Sequence, residues 1–203
     1  FTAKAEELKE VICRRSYNGK FFCDHSVREN GSLVLKGDIT EVCQYYAFFT
    51  GVATPESYPD LFETLVQDFG PGRKVSNPYP DVWFANAFVG NYLRLTILLQ
   101  YGYYDLVLDE IEGYFLYMAE KTMTLWENDG DYASCNHGFA SHVICWLLRA
   151  ATGYCGRSEK VLIFAEDYSA KISAGAELLS GGRKIGIRSG AGSRRVQEKR
   201  RSV

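Results

Sequence analysis

The sequence predicts a mostly α-helical protein built from antiparallel helical hairpins, followed by a short β-rich C-terminal segment. Three observations predict it. Apolar residues recur at i, i+4 and i+7 in successive stretches, the spacing of one helix face. These stretches are joined by short connections, which favour antiparallel neighbours. After Gly156 the texture changes: "KVLIFAE", "AKISAGAEL" and "RKIGIRS" read as short strands separated by Ser, Gly and Lys. The chain divides accordingly into a helical part at 1–155, a β-like piece at 156–190 and a basic tail at 191–203.

Residues 1–13 have a weak helical pattern. Asp38 opens the next helix, with Glu41 three residues on as a capping-box partner. Val42, Tyr46 and Phe49 line one face of it, and Gly51 ends it. Thr54-Pro55 is expected to start a third helix, since proline at the first helical position loses no hydrogen bond. Its stripe is Leu61, Leu65, Val66 and Phe69, and Gly70-Pro71 stops it. Residues 84–101, "FANAFVGNYLRLTILLQY", are apolar almost all round, so this helix is expected to be buried on two sides. Tyr103 to Met118 is amphipathic, with Val107, Ile111, Tyr114, Phe115 and Met118 opposite Asp105, Asp109 and Glu112. A last helix, from about Gly138 to Thr152, carries Phe139, Val143, Trp146, Leu147 and Ala150 on one face.

The 203 residues suffice for one domain with a real core. Apolar residues make up 46% and charged residues 24%, which places the chain among globular proteins rather than disordered ones. The formal charge of -2 hides an asymmetry. Residues 182–203 hold eight Lys/Arg against one Glu, so the rest of the chain is clearly acidic. An acidic body repels phosphate backbones, and no nucleic-acid partner is expected. No stretch approaches the roughly eighteen uncharged apolar residues of a membrane span. The cysteines, Cys13, Cys23, Cys43, Cys135, Cys145 and Cys155, form no C-x-x-C pair and read as free thiols. His25 and His142 are not spaced with carboxylates or cysteines as a metal set, and His142 reads as a core histidine. Neither metal nor cofactor is expected.

Ionisable chemistry concentrates in one place. "TLWENDGDYASCNH", positions 124–137, is a loop between two helical patterns that holds a tryptophan, three carboxylates and a histidine. Asp129 and Asp131 fall in "NDGD", a strong turn signal. Asn136 suits a helix N-cap. Glu127 on its own reads as a solvated loop carboxylate, and His137 as either a first-turn residue of the following helix or a ligand contact.

"KTMTLWEND" followed by "SCNHGFASHVICWLLRAATG" resembles the C-terminal half of the catalytic domain of α-L-rhamnosidases, six-hairpin glycosidases whose domain is an (α/α)6 toroid of paired helices. "DHSVRENGSLVLKGDITEVCQYYAFF" and "DVWFANAFVGNYLRLTILLQYGYYDLVLDEIEGYFLYM" resemble it too, in the same order, and "GGRKIGIRS" resembles part of the family's C-terminal β-sandwich. The resemblance implies a partial toroid and hydrolysis of terminal α-L-rhamnosyl residues with inversion. It places Glu127 as the general base, His137 against the sugar and Trp126 beside the cleft as an apolar platform. Asn136, Glu41 and Gln44 join them as expected substrate contacts, although capping alone also explains Glu41. The family's acid glutamate lies on an earlier acidic, arginine-bearing stretch with no counterpart here. The chain is therefore expected to be a fragment lacking its general acid. Half a toroid leaves apolar faces open, which implies self-association. Family habit suggests a periplasmic or secreted protein. Two rivals stand beside this reading: a non-catalytic carbohydrate-binding or scaffold protein made from a truncated toroid, and an unrelated α/α toroid such as a polysaccharide lyase.

Overall fold

A computed structural model describes residues 1–128, 130 and 132–152. The β-like segment, the basic tail and Cys155 lie outside the described residues, as do Asp129 and Asp131. Within them the protein is mostly helical. In chain order the elements are α1 (Thr2–Ser16), β1 (Ser26–Glu29), β2 (Ser32–Leu35), β3 (Ile39–Thr40), α2 (Glu41–Phe49), α3 (Pro59–Gln67), α4 (Arg73–Ser76), β4 (Val82–Trp83), α5 (Val89–Gln100), α6 (Tyr104–Glu110), a π-turn (Ile111–Phe115), α7 (Leu116–Thr122), a 3-10 turn (Gly138–His142) and α8 (Val143–Thr152). No described helix is long and apolar enough to cross a membrane.

The N-terminal helix α1 has no buried residue of its own. After it, β1 and β2 form an antiparallel hairpin in which Glu29 faces Ser32 across Asn30-Gly31. Both turn residues have positive φ, 48° and 82°, the geometry of a tight hairpin turn that Asn-Gly adopts at least cost. β3 then pairs in parallel with the distant β4, Ile39 opposite Val82 and Thr40 opposite Trp83. That short ladder ties the start of α2 to the approach to α5.

Several expected helix boundaries are corrected. Thr40, not Asp38, caps α2: its side chain accepts the Cys43 N–H at 3.0 Å. Thr40 is itself fixed by Asp24 Oδ1, which accepts both its N–H and its hydroxyl at 3.0 Å. Glu41 is thereby released from capping. Thr54 and Ser57 bond each other reciprocally in a tight turn, so α3 starts one turn later, on Pro59. The expected physics of a proline at the helix start holds, but on the next proline. α5 starts at Val89 rather than 84, because β4 pairing and two backbone bonds described below hold 82–87 extended.

The core joins α2, α3, α5, α6, α7 and α8. Leu61, Leu65, Val66 and Phe69 are all buried, as are Leu93, Leu95, Ile97, Leu98 and Leu99 of α5. Val107, Ile111, Phe115 and Met118 line the inner side of one continuous helical run from α6 through α7. The π-turn in its middle keeps Phe115 and Met118 facing inward after Ile111. In α8 Val143, Trp146 and Ala150 are buried, but Phe139 is largely exposed, since Gly138–His142 winds as a 3-10 turn rather than α-helix. Cys13, Cys23, Cys43, Cys135 and Cys145 are free thiols, and burial pushes Cys43 up to about 12.

Glu41, Gln44, Arg73, Asn91 and Arg94 are buried among these apolar residues. Arg94, fully buried in α5, donates to Glu110 through Nε (2.9 Å to Oε1) and Nη2 (2.6 Å to Oε1), and to the carbonyls of Leu65 and Val66. Gly70 packs directly on it: a Cβ there would sit 2.5 Å from Arg94 Nε, and φ is +100°. Only glycine fits that close approach at such a backbone angle.

Candidate functional site

The 124–137 loop is closed on itself by its own backbone. Glu127 N–H donates to Ser134 O at 2.9 Å, and His137 N–H donates to Leu125 O at 2.8 Å. Glu127 and His137 therefore leave neighbouring strands of one closed loop. The loop is anchored from beneath by Trp126, which is only 1% exposed and donates its indole N–H to Thr122 Oγ1 at 2.7 Å. Tyr117 packs edge-on against it.

A third tie joins this loop to the start of α5. Ala87 N–H donates to Glu127 O at 3.0 Å, and two residues earlier Ala85 N–H donates to Glu41 Oε2 at 3.2 Å. Two residues of chain span at most about 7 Å. The Glu41 carboxylate and the Glu127 backbone thus hang from the same short segment, where α2 and α5 both begin.

The environments of these two glutamates differ. Glu127 is half-buried. Glu41 is 1% exposed, with Arg73 Nε 2.7 Å from its Oε1 and the Tyr45 hydroxyl donating to its Oε2 at 3.0 Å. Burial raises the Glu41 pKa above the ordinary glutamate value, although Arg73, Tyr45 and the Ala85 amide all work in the opposite sense. Arg73 is equally buried. It donates to the carbonyls of Tyr79 and Val82, and its guanidinium lies 4.2 Å from the Phe84 ring centroid. Stacked over Phe84 and bonded to the β4 backbone, it fixes the 79–84 segment against Glu41.

The expected site residues fare unequally. The backbones of Glu127 and His137 belong to one closed loop, and the Ala87 bond ties that loop to the segment whose Ala85 amide bonds Glu41. Trp126 offers no open face as a platform: it is 1% exposed, with Tyr117 edge-on to its ring and the Lys121 ammonium over it. Gln44 is corrected as well. Its amide is spent on Phe22, accepting that N–H and donating to that carbonyl at 2.8 Å, and on Thr40 O at 2.9 Å. No donor is left for a sugar. Asn136 is exposed and caps nothing, since His137 holds the position before the 3-10 turn and that turn has no side-chain cap. The His137 ring packs 4.6 Å from that of Phe88. Trp83, 69% exposed beside the half-exposed Phe84, is an open aromatic, as are Tyr132 in the loop and Phe139 after it. Arg73, Phe84 and Asn91 were not expected at a site. Among the described residues no group of three His, Cys, Asp or Glu could hold a metal.

His142 lies behind the site in an aromatic cage of Tyr92, Phe115, Phe139 and Trp146. Its Nδ1 bonds Phe139 O at 2.9 Å, while Nε2 is buried without a partner. Burial lowers its pKa below the ordinary 6.5. Between the two values the unfolded chain binds the proton and the folded one does not. His142 therefore stabilises the fold fully above the ordinary value, and that contribution is lost as pH falls through the folded pKa. Urea denaturation from pH 7.5 downward should show the parent losing stability in that window more steeply than His142→Phe; equal slopes would contradict the assignment.

Comparison with known proteins adds no relative: no family model, no curated protein and no solved structure matches this chain.

Proposed function

We propose that the protein belongs to inverting glycoside hydrolase chemistry on terminal α-L-rhamnosyl residues, with its helices forming part of an (α/α)6-type toroid. Glu127 is the general base and His137 donates a hydrogen bond to a sugar hydroxyl, which it can do in either protonation state. The observation that supports the reading is the closed 124–137 loop, which holds Glu127 and His137 and is tied through Ala87 to the Glu41 end of α2. The likeness of "TLWEND" and "SCNHGF" to the family's motifs supports the same residues.

Inversion requires a carboxylate that draws a proton from water on the face opposite the leaving group, about 6.5–9.5 Å from the acid. A half-buried loop glutamate keeps access to that water. Glu41 is not the acid. It is buried, ion-paired with Arg73 through Oε1 and bonded by Tyr45 and Ala85 through Oε2, and the proton for the leaving oxygen comes from a carboxyl group outside this set.

The test therefore uses an aryl α-L-rhamnoside whose phenolic leaving group is acidic enough to depart without a proton, so that base catalysis alone is read. Proton NMR of the first-formed sugar should show β-L-rhamnose, appearing before mutarotation. Release of the α anomer would contradict inversion, and absence of release would contradict the hydrolase reading.

A further inference from the structure

One hollow in the described structure is built from six separate segments. Glu41 from α2, Gly70-Pro71 from the loop after α3, Lys74 from α4, Phe84-Ala85 from the approach to α5, Asn91 from α5 and Tyr114 from the π-turn all line it. Its volume is about 10 Å³, room for about one oxygen atom. Two features set it apart from a packing defect. Its lining carries polar side chains, Glu41, Lys74, Asn91 and Tyr114, where a dry cavity would be apolar throughout. One of its groups is also a buried charge with capacity to spare: Glu41 Oε1 has no hydrogen-bond partner, and neither has Arg73 Nε. The two atoms are 2.7 Å apart, yet the N–H is not aimed along that line, so their attraction is ionic and the lone pairs of Oε1 stay unfilled. An unfilled buried carboxylate oxygen is costly, and a single O–H donor would relieve that cost.

We propose that this hollow is a one-hydroxyl subsite, in which Glu41 Oε1 accepts the O–H of a neutral polyol, with water holding the place in the free protein. The volume excludes larger groups: a carboxylate or phosphate would not fit. Phe84, clamped by Arg73, closes one wall and leads outward to the exposed Trp83, giving a sugar ring an apolar surface beside the polar floor. The 85–87 segment links this subsite to Glu127. The identity of the polyol as a rhamnosyl unit rests on the function proposed above; the hydroxyl site itself does not.

The crystal structure of the free protein should show an ordered water within hydrogen-bond distance of Glu41 Oε1. Soaking with L-rhamnose should replace that water by a sugar hydroxyl. A water that stays in place under a bound sugar overturns the subsite, as does a hollow holding no oxygen in either crystal. In solution, calorimetric titration with L-rhamnose should show Glu41→Gln binding about tenfold or more weakly, the worth of one charge-assisted hydrogen bond. A deoxy sugar lacking the seated hydroxyl should bind parent and variant alike. Equal losses for rhamnose and the deoxy sugar overturn the proposal. Hydrolysis is read separately: a seated sugar with no turnover leaves the subsite standing and removes the catalytic role of Glu127.

Discussion

Arg94→Met is expected to lower the unfolding free energy by about 3–5 kcal/mol. Three losses combine. Glu110 keeps its charge with its partner gone. The carbonyls of Leu65 and Val66 lose their donors inside the core. The space beside Gly70, shaped to the guanidinium, is filled by a thioether of different form. Burial alone would favour losing the guanidinium's proton, but the charges of Glu110, Tyr45 and Glu41 and the hydrogen bonds to Glu110 together outweigh it and raise the Arg94 pKa, so the guanidinium stays charged. Urea titration should show the midpoint falling with the slope unchanged. Adding Glu110→Leu to Arg94→Met should recover part of the loss, because an apolar pair can replace a buried ionic one, whereas a single charge left behind cannot be accommodated. A loss under 1 kcal/mol in the single variant would mean that the charge is not held as described.

Glu127→Gln is expected to reduce kcat/KM on an activated aryl α-L-rhamnoside by about 10²–10⁴-fold, the contribution of a positioned general base. Its folding should be untouched. The backbone bonds that close the loop, from Glu127 N–H to Ser134 O and from Ala87 N–H to Glu127 O, do not involve the side chain. The amide keeps the size of the carboxylate but cannot take a proton from water. Rhamnose affinity should change little, which separates the loss of a base from the loss of a binding residue. An unchanged rate in a folded variant would remove Glu127 from the reaction.

What the sequence reveals of this protein depends on how far its physics is local. The stripe Leu61, Leu65, Val66, Phe69 is legible because each residue needs only its own helix to reach the core. Gly51, with φ of +73°, ends α2 as expected for the same reason. The hairpin at Ser26–Leu35 was also locally encoded, in Asn30-Gly31, and "ENGS" was the signal that could have found it. The start of α5 was not locally encoded. "FANAF" looks helical, yet Ala85 and Ala87 give their amides to Glu41 and Glu127, both more than thirty residues away in sequence. Tertiary bonds won over propensity there. Trp126 shows the same limit: nothing in "TLWEND" distinguishes a ring facing a cleft from one filling the core, and its bond to Thr122 decides the matter only in three dimensions.

The site divides along the same line. Glu127 and His137 could be named from their motif, because that motif is a single loop. Glu41 was weighed as a cap, since a glutamate at a helix start has that use, and its buried pairing with Arg73 spans 32 positions that no spacing rule connects. Arg94 alone left a trace: a lone charge inside "NYLRLTILL" has no solvated face to occupy, so it needed a buried partner.

The central claim is that the Glu127 side chain stands opposite the leaving group of a bound rhamnoside, and azide tests it most directly. In Glu127→Ala the excised carboxylate leaves room for that anion, which needs no base: its nitrogen bonds to the anomeric carbon as the aryl oxide departs from the other face. The account predicts that added azide restores turnover of the activated α-L-rhamnoside and that the product is β-L-rhamnosyl azide. Turnover that azide does not raise, or an α-configured azide, would contradict it.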